Sequence, residues 1–281
     1  MDLNEKKQLQ ITACKVRMGI VESTHSAKAG HPGGSLSATE MFTYLYFKEM
    51  NVDPQNPKAE NRDRFVLSKG HTAPGLYSTL AQRGFFPVED LKTLRRIDSY
   101  LQGHPNMTTV PGVDMSTGSL GQGISCAAGM ALGLKHQNNP ARVYTLLGDG
   151  EIQEGQVWEA CMLAAHYKLD NFVVIVDNNG LQIDGDISKV MSPYPIVDKL
   201  AAFGFHVEAI DGHDFDQIEA ALNTARATKG QPTAIVMKTT KGKDISFMEN
   251  DAGWHGKAPN DAEYEQAMNE LNAILSELEG K

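Results

Sequence analysis

The sequence lacks the features that several protein classes require. Its 281 residues contain three cysteines, Cys14, Cys126 and Cys161, an odd number without a Cys-x-x-Cys pair. This pattern argues against a disulfide framework or a zinc ribbon and predicts reduced thiols in the core. No apolar run approaches the ~18 residues of a membrane span, and the charged N-terminus lacks the apolar segment of a signal peptide. We therefore expect a cytoplasmic protein without membrane association.

Positive charge is also scarce. The 26 lysines and arginines against 35 acidic residues give a net charge of −9, which disfavours binding to nucleic acid or to an anionic membrane. The chain has no long Pro/Gly/Ser-rich linker and no repeat, and it is long enough to bury one large core. We expect one domain over residues 1–281, with an N-terminal helix over 3–22 and a C-terminal helix over 261–279.

Hydrophobic periodicity predicts alternating strands and helices. Short apolar runs predict buried strands at 65–67, 143–147, 172–176, 206–210 and 233–237. Helices are predicted at 120–136, 153–167, 197–203 and 215–227, the last with Asp214 as its N-cap. The alternation predicts an α/β fold, a parallel β-sheet sandwiched by helices. Along the C-terminal helix an apolar stripe is predicted to pack on this chain's own core, the alternative being a partner: Tyr264, Met268, Leu271, Leu275 and Leu278.

Oxygen-bearing side chains follow two of the predicted strands. Gly148-Asp149-Gly150-Glu151 comes after one, and Asp177-Asn178-Asn179-Gly180-Leu181 comes after another. Thirty residues separate Asp149 from Asn179, the length of one βαβ unit, so both should reach the same sheet edge, where α/β folds bind ligands. Such oxygens suit Mg²⁺, and the bare glycine backbone with the helix predicted near residue 153 suits a phosphate. Each motif alone is also a common turn.

Four histidines lie in loops marked by glycine or proline: His31, His71, His104 and His255. Grouped imidazoles can hydrogen-bond sugar hydroxyls and move protons near neutral pH, so the set predicts polyol chemistry. A zinc site and ordinary structural histidines are the alternatives. His213, in Asp211-Gly212-His213-Asp214, is assigned to a strand-to-helix turn rather than to the site.

Five ordered motifs together resemble the diphosphate-binding domain of transketolase. They are Gly30-His31-Pro32-Gly33, Ser68-Lys69-Gly70-His71, Thr117-Gly118-Ser119-Leu120-Gly121-Gln122-Gly123, Gly148-Asp149-Gly150-Glu151-Ile152-Gln153-Glu154-Gly155 and Trp254-His255-Gly256. The resemblance spans most of the chain and implies a thiamine-diphosphate-binding fold, known as a PP domain. A glycine turn alone would also fit the α subunit of a 2-oxo acid decarboxylating complex.

The resemblance also implies roles for particular residues. Asp149, Asn179 and the backbone oxygen of Leu181 would hold Mg²⁺, for which Ca²⁺ or Mn²⁺ can substitute, against thiamine diphosphate. His31, His104 and His255 would be catalytic, and Glu154 would lie at a subunit interface. The implied contacts to the cofactor are His71, Gly118, Ser119, Leu120, Gly148, Asp149, Gly150, Glu151, Asn179, Ile183 and His255.

Transketolases are about twice this length, and their pyrimidine-binding and C-terminal domains have no counterpart here. The resemblance therefore implies the N-terminal subunit of a two-chain enzyme, α2β2 by family precedent, which transfers a two-carbon ketol unit from a ketose phosphate to an aldose phosphate. Contact between diphosphate domains is expected through the helix at 153–167, where Ala160, Ala164 and Ala165 would allow close approach. A non-catalytic thiamine-diphosphate-binding subunit is the further alternative.

Overall fold

A parallel five-stranded sheet forms the centre of the computed structural model, which describes residues 1–280. The strand order is β1-β2-β3-β7-β6, and β4 and β5 form a separate antiparallel hairpin. All five predicted strands are present, each with one or two further residues. The strands are β1 (Arg64–Leu67), β2 (Val143–Gly148), β3 (Phe172–Asn178), β4 (Leu181–Gln182), β5 (Gly185–Asp186), β6 (His206–Asp211) and β7 (Thr233–Lys238).

Helices cover both faces of this sheet, as the alternating pattern predicts. They are α1 (Leu3–Ala27), α2 (Pro32–Ser37), α3 (Thr39–Tyr44), α4 (Ala73–Arg83), α5 (Gln122–His136), α6 (Gly155–His166), α7 (Ile187–Val190), α8 (Ile196–Ala202), α9 (Phe215–Ala227) and α10 (Asp261–Glu279). No helix within residues 1–280 is long and apolar enough to cross a membrane.

The sheet register brings the ends of neighbouring strands together. Gly148 of β2 pairs with Asp177 of β3, and Asp177 pairs with Met237 of β7. The backbone N–H of Lys69, just after β1, donates to the carbonyl of Leu146 at 3.1 Å. The loops after β1, β2, β3 and β7 therefore start from one edge of the sheet, the edge at which parallel α/β folds bind ligands.

Three apolar clusters make up the core. Two of them lie on opposite faces of the sheet, because side chains alternate along each strand. The third joins α1 to α10 and contains the fully buried Leu271. The C-terminal stripe thus packs on this chain's own core, as predicted.

Several predicted boundaries shift for backbone reasons. Helix α5 begins at Gln122 rather than Leu120, because Gly121 adopts a left-handed φ of 82°. Glu154 is extended, so α6 begins after it and residues 151–153 form a separate 3₁₀ turn. The N-terminal helix continues past residue 22 and ends at Ala27, because the next residue, Lys28, adopts a left-handed φ of 50°. Helix α9 has the predicted bounds and its Asp214 cap.

Two expectations about α6 and the thiols need correction. Ala160 and Ala164 are buried in the chain's own core, so of the three alanines only the half-buried Ala165 is left for close approach to another subunit. Cys14 and Cys161 are buried, and burial raises the pKa of their thiols to about 11 and about 12. Cys126 is only half-buried, so two of the three thiols belong to the core.

Candidate active site

A cavity of about 320 Å³ opens at the carboxyl edge of the sheet. Its walls come from the loops after β1, β2, β3 and β7, the arrangement that the strand pattern predicts. Eleven residues singled out from the sequence line it: His71, Leu120, Gly148, Asp149, Gly150, Glu151, Glu154, Asn179, Leu181, Ile183 and His255.

Asp149 lies at the base of this cavity and is almost fully buried. Its carboxylate accepts backbone N–H bonds from Gly150 at 2.9 Å and from Gly180 at 2.7 Å, which tie the loop after β2 to the loop after β3. Burial, and then the charge of nearby Asp177, raises the pKa of Asp149 to about 7. A cation at this position would relieve both unfavourable effects.

Two further oxygens lie beside Asp149. The Asn179 side-chain oxygen accepts from the Leu181 N–H at 3.1 Å, and the Leu181 carbonyl accepts from the Lys241 ammonium at 3.2 Å. Burial lowers the pKa of Lys241 to about 8. A carboxylate, an amide oxygen and a carbonyl on one cavity wall are the hard donors that Mg²⁺ prefers, so these residues fit the predicted metal.

The glycines of the loop after β2 leave room for a phosphate to approach the backbone. A Cβ at Gly150 would lie 3.3 Å from the Gln182 side chain, and one at Gly148 would lie 3.7 Å from Lys69. Both glycines line the cavity, where their backbone is accessible because it carries no side chain. The N–H groups of Gly148 and Gly150 donate to Glu151 and Asp149, so the two glycines provide space for a diphosphate rather than free donors.

Glu151 is buried beneath this loop. Its carboxylate accepts from the Ser68 hydroxyl at 2.5 Å and from the backbone N–H groups of Gly121 at 3.0 Å and Gly148 at 3.1 Å. Burial raises the pKa of Glu151, and the three donors oppose that shift. Both oxygens thus hold the loops after β1 and β2 and the start of α5 together.

The four loop histidines form one contiguous group. The ring centroids of His71 and His255 are 5.0 Å apart, and His31 lies 5.2 Å from His71, 5.5 Å from His255 and 6.5 Å from His104. His31 and His104 lie beyond the residues that line the cavity. The Nδ1 atom of His31 is buried without a hydrogen-bond partner in residues 1–280. Because this atom is buried, it is an unsatisfied polar group of the protein interior and is not open to the cavity.

The environment holds these histidines neutral. Burial and the Arg95 charge lower the pKa of His31 to about 4, and burial and the Lys241 charge lower the pKa of His255 to about 3. Burial lowers the pKa values of His71 and His104 as well. Neutral imidazoles can both donate and accept hydrogen bonds at pH 7, as polyol binding requires.

Three predicted site residues lie at the edge of the cavity or outside its lining. Gly118 has a φ of 157°, and a Cβ there would lie 3.1 Å from the His104 ring, so a side chain would crowd that histidine. Ser119 is exposed and lies outside the cavity lining. Glu154 is exposed at the cavity rim. His213 is structural as predicted, with Nδ1 2.9 Å from Glu40 and Nε2 accepting from the Thr240 N–H at 2.8 Å.

Sequence reasoning assigned no role to four charged side chains around this site. Lys69 and Lys241 are buried cations in the cavity wall, and Asp177 is buried behind it. Lys69 lies in the motif Ser68-Lys69-Gly70-His71, but only His71 of that motif was assigned to the site. Arg95 lies against Gly103, where a Cβ would be 2.6 Å from the guanidinium. No periodicity connects these residues to the cavity.

Comparison with known proteins decides the family. A model described as the thiamine diphosphate binding domain of transketolase matches residues 8–273. The chain belongs to the transketolase family. It is 44% identical over 263 residues to the 6-deoxy-6-sulfo-D-fructose transketolase subunit of Clostridium sp. (strain MSTE9), with 94% of this chain and 96% of that subunit covered. It is 42% identical to one of the named subunits of the apulose-4-phosphate transketolase of Phocaeicola vulgatus, with 96% of each covered.

Full-length transketolases match over part of their length. The human enzyme is 41% identical over all of this chain but only 44% of its own sequence. The crystal structure of Campylobacter jejuni transketolase superposes with a TM-score of 0.89 at 32% identity, covering 99% of this chain and 46% of that one. The chain therefore has the extent of the separate transketolase subunits and the α/β fold of the thiamine diphosphate domain.

The zinc alternative finds no support in the same region. Within residues 1–280 no group of three or more His, Cys, Asp or Glu side chains is arranged to hold a metal ion. The proposed magnesium ligands include only one such side chain, Asp149, because the others are an amide and a backbone carbonyl.

Proposed function

We propose that this chain is the cofactor-binding subunit of a two-chain transketolase, folded as one domain. With a partner subunit it transfers a two-carbon ketol unit from a ketose donor to an aldose acceptor. The observation that carries the proposal is the joining of the diphosphate space at Gly148 and Gly150, the oxygen cluster and the histidine group at one sheet edge. The extent of the match to separate transketolase subunits supports the division into two chains.

The metal is proposed to be Mg²⁺, with Mn²⁺ or Ca²⁺ as substitutes. Asp149, Asn179 and the Leu181 carbonyl would bind it together with the diphosphate. Asp149 is the single carboxylate of this set, and its pKa of about 7 reflects burial and the nearby charge of Asp177. Metal binding therefore requires the deprotonated carboxylate and weakens as the pH falls below about 7.

Thiamine diphosphate, when bound, supplies a carbon nucleophile and a cationic ring that accepts the electron pair released on C–C cleavage. The chain's own residues would hold it in place. Gly148 and Gly150 would leave space for the diphosphate, and Leu120 and Ile183 would contact the rings. The remaining proposed contacts are His71, Gly118, Ser119, Asp149, Glu151, Asn179 and His255.

The catalytic histidines are proposed to be His31, His104 and His255. Each is neutral at pH 7 and lies in one group whose innermost members line the cavity. Each neutral ring offers one donor and one acceptor nitrogen for hydrogen bonds to substrate hydroxyl groups.

A partner subunit would cover an apolar rim at the cavity. Leu120, Ile183, Met191 and Tyr194 are 37%, 65%, 63% and 42% exposed, and the first two line the cavity. We propose that a subunit with pyrimidine-binding and C-terminal domains packs on this rim, with Glu154 in the contact. The assembly would be α2β2 and cytoplasmic.

The substrates would carry an anionic group. Two relatives are named for 6-deoxy-6-sulfo-D-fructose and apulose 4-phosphate, a sulfonated and a phosphorylated ketose. Sugars of the pentose phosphate pathway and these modified ketoses form the first panel to test. Substrate contacts from the partner subunit would decide among them.

The test is cofactor uptake followed by subunit capture. Thiamine diphosphate should bind the purified chain in a Mg²⁺-dependent manner, and the loaded chain should retain a second chain that confers ketose cleavage. Turnover of pyruvate in place of ketoses would indicate a 2-oxo acid decarboxylating complex. Cofactor binding without cleavage of any ketose would indicate a non-catalytic subunit.

A further inference from the structure

Asp177 is a fully buried carboxylate directly behind the proposed metal site. Its Oδ2 atom accepts from the Ser37 hydroxyl and from the Lys69 ammonium, each at 2.5 Å. The Asn179 side-chain nitrogen donates to the same oxygen at 3.2 Å, and the Thr239 hydroxyl donates to Oδ1. Each of these donors to Asp177 is thus a side chain, and one belongs to a proposed metal ligand.

Lys69 compensates the charge of this carboxylate. The ammonium is 2% exposed and donates to the Gly34 carbonyl at 2.8 Å as well as to Asp177. Burial alone would raise the pKa of Asp177, but the Lys69 charge and the hydroxyl donors hold it below its usual range. The 2.5 Å ion pair with Lys69 and the further donors around the carboxylate fit an ionised Asp177, which acts only as a hydrogen-bond acceptor.

These contacts define which way the Asn179 amide points. An amide has a donor nitrogen at one end and an acceptor oxygen at the other. Because the Asp177 carboxylate can only accept, the nitrogen must face Asp177. Because the Leu181 backbone N–H can only donate, the oxygen must face Leu181, which lines the cavity. The amide is fixed at both ends.

We propose that Asp177, paired with Lys69, is a positioning residue that holds the Asn179 amide with its oxygen available to a divalent cation. The inference rests on the proposed function, because it needs the metal site to exist. Loss of such an outer contact typically weakens metal binding by about 10–100-fold.

Two double variants separate the effect of the acceptor oxygen on metal binding from the effect of the charge. Asp177→Leu with Lys69→Met removes both charges and the acceptor, and Asp177→Asn with Lys69→Met removes both charges but keeps an acceptor oxygen. Replacing a buried ion pair by apolar groups of similar shape is often neutral for stability, and circular dichroism would verify folding. Binding of Mn²⁺ in the presence of thiamine diphosphate is measured from the electron paramagnetic resonance signal of the free ion.

We expect the double variant with Asp177→Leu to bind Mn²⁺ at least about tenfold more weakly than the double variant with Asp177→Asn. Equal affinities within about twofold would overturn the positioning role while leaving the metal site intact, since losses in outer contacts are larger than this. A wild-type chain that takes up no Mn²⁺ would instead overturn the metal site and, with it, this inference.

Asn179→Asp gives a second test that leaves the buried pair unchanged. A carboxylate is a stronger Mg²⁺ or Mn²⁺ ligand than an amide, so a residue that served only as a ligand would bind as well or better after this change. Facing the ionised Asp177, the new carboxylate should instead be repelled, and Mn²⁺ affinity should fall. Affinity equal to or above that of the wild-type chain would contradict the proposal.

Discussion

The Glu151 carboxylate accepts a hydrogen bond of 3.0 Å from the backbone N–H of Gly121, which joins the loop after β2 to the start of α5. The same carboxylate accepts from the Gly148 N–H at 3.1 Å and from the Ser68 hydroxyl at 2.5 Å. One buried side chain therefore sets the relative position of three cavity walls. These bonds give Glu151 a structural role in addition to its proposed contact with the cofactor.

Glu151→Gln should destabilise the fold, because an amide nitrogen would face a donor where a carboxylate oxygen accepts. We expect a loss of about 1–3 kcal/mol in the free energy of unfolding, measured in urea. Glu159→Gln, at an exposed position of α6, is the control and should leave the urea midpoint unchanged. Equal midpoints for both variants would contradict the role of Glu151.

The histidine group should stay neutral well below pH 6.5. Because the pKa values of His31 and His255 are lowered to about 4 and about 3, their ring proton resonances should not titrate between about pH 8 and pH 5.5. In the unfolded chain these rings take up protons near pH 6.5, so their burial should lower stability progressively as the pH falls from 6.5 towards 4. If the chemical shift of either ring changed with a midpoint near pH 6.5 in the folded chain, the prediction would be wrong.

Asp149→Asn should weaken Mg²⁺-dependent binding of thiamine diphosphate. The change removes the single carboxylate of the proposed metal ligand set, and we expect affinity to fall at least about tenfold by calorimetry. Asp184→Asn is a matched control, since Asp184 is exposed between β4 and β5 near the same cavity. Unchanged cofactor affinity in the Asp149 variant would show that the metal assignment is wrong.

Leu271→Ala should test the packing of α10 on α1. Leu271 is fully buried in the third apolar cluster, so the truncation should cost about 2–5 kcal/mol in the free energy of unfolding. Leu275→Ala, one turn further along and half-buried, should cost less. If the two losses in urea were equal, Leu271 would not be the central contact of this helix pair.

The strand pattern predicts the sheet and the position of the cavity well. Buried parallel strands are continuous apolar runs, and their carboxyl ends necessarily meet, so the convergence of Asp149 and Asn179 follows from spacing alone. The short helices between Pro32 and Tyr44 have no such signal, because both are fully buried and lack a polar face.

Buried ion pairs are what the sequence predicts least well. The Lys69–Asp177 pair joins residues 108 positions apart, and nothing local to either residue identifies the other. The Lys241 contact with Leu181 likewise depends on how the loop after β7 folds back. Ala160 and Ala164 show a different kind of error. Small residues on a helix indicate close packing, but they do not identify the packing partner, which here is the chain's own sheet.

Transfer of a labelled two-carbon unit tests the central proposal most directly. The chain and its partner subunit would be incubated with thiamine diphosphate, Mg²⁺, a ketose phosphate carrying ¹³C at C1 and C2, and an unlabelled aldose phosphate. We predict label at C1 and C2 of the lengthened sugar only when both chains and the cofactor are present. A complete mixture in which the label stays in the donor across the substrate panel, or leaves as carbon dioxide, would contradict the proposal.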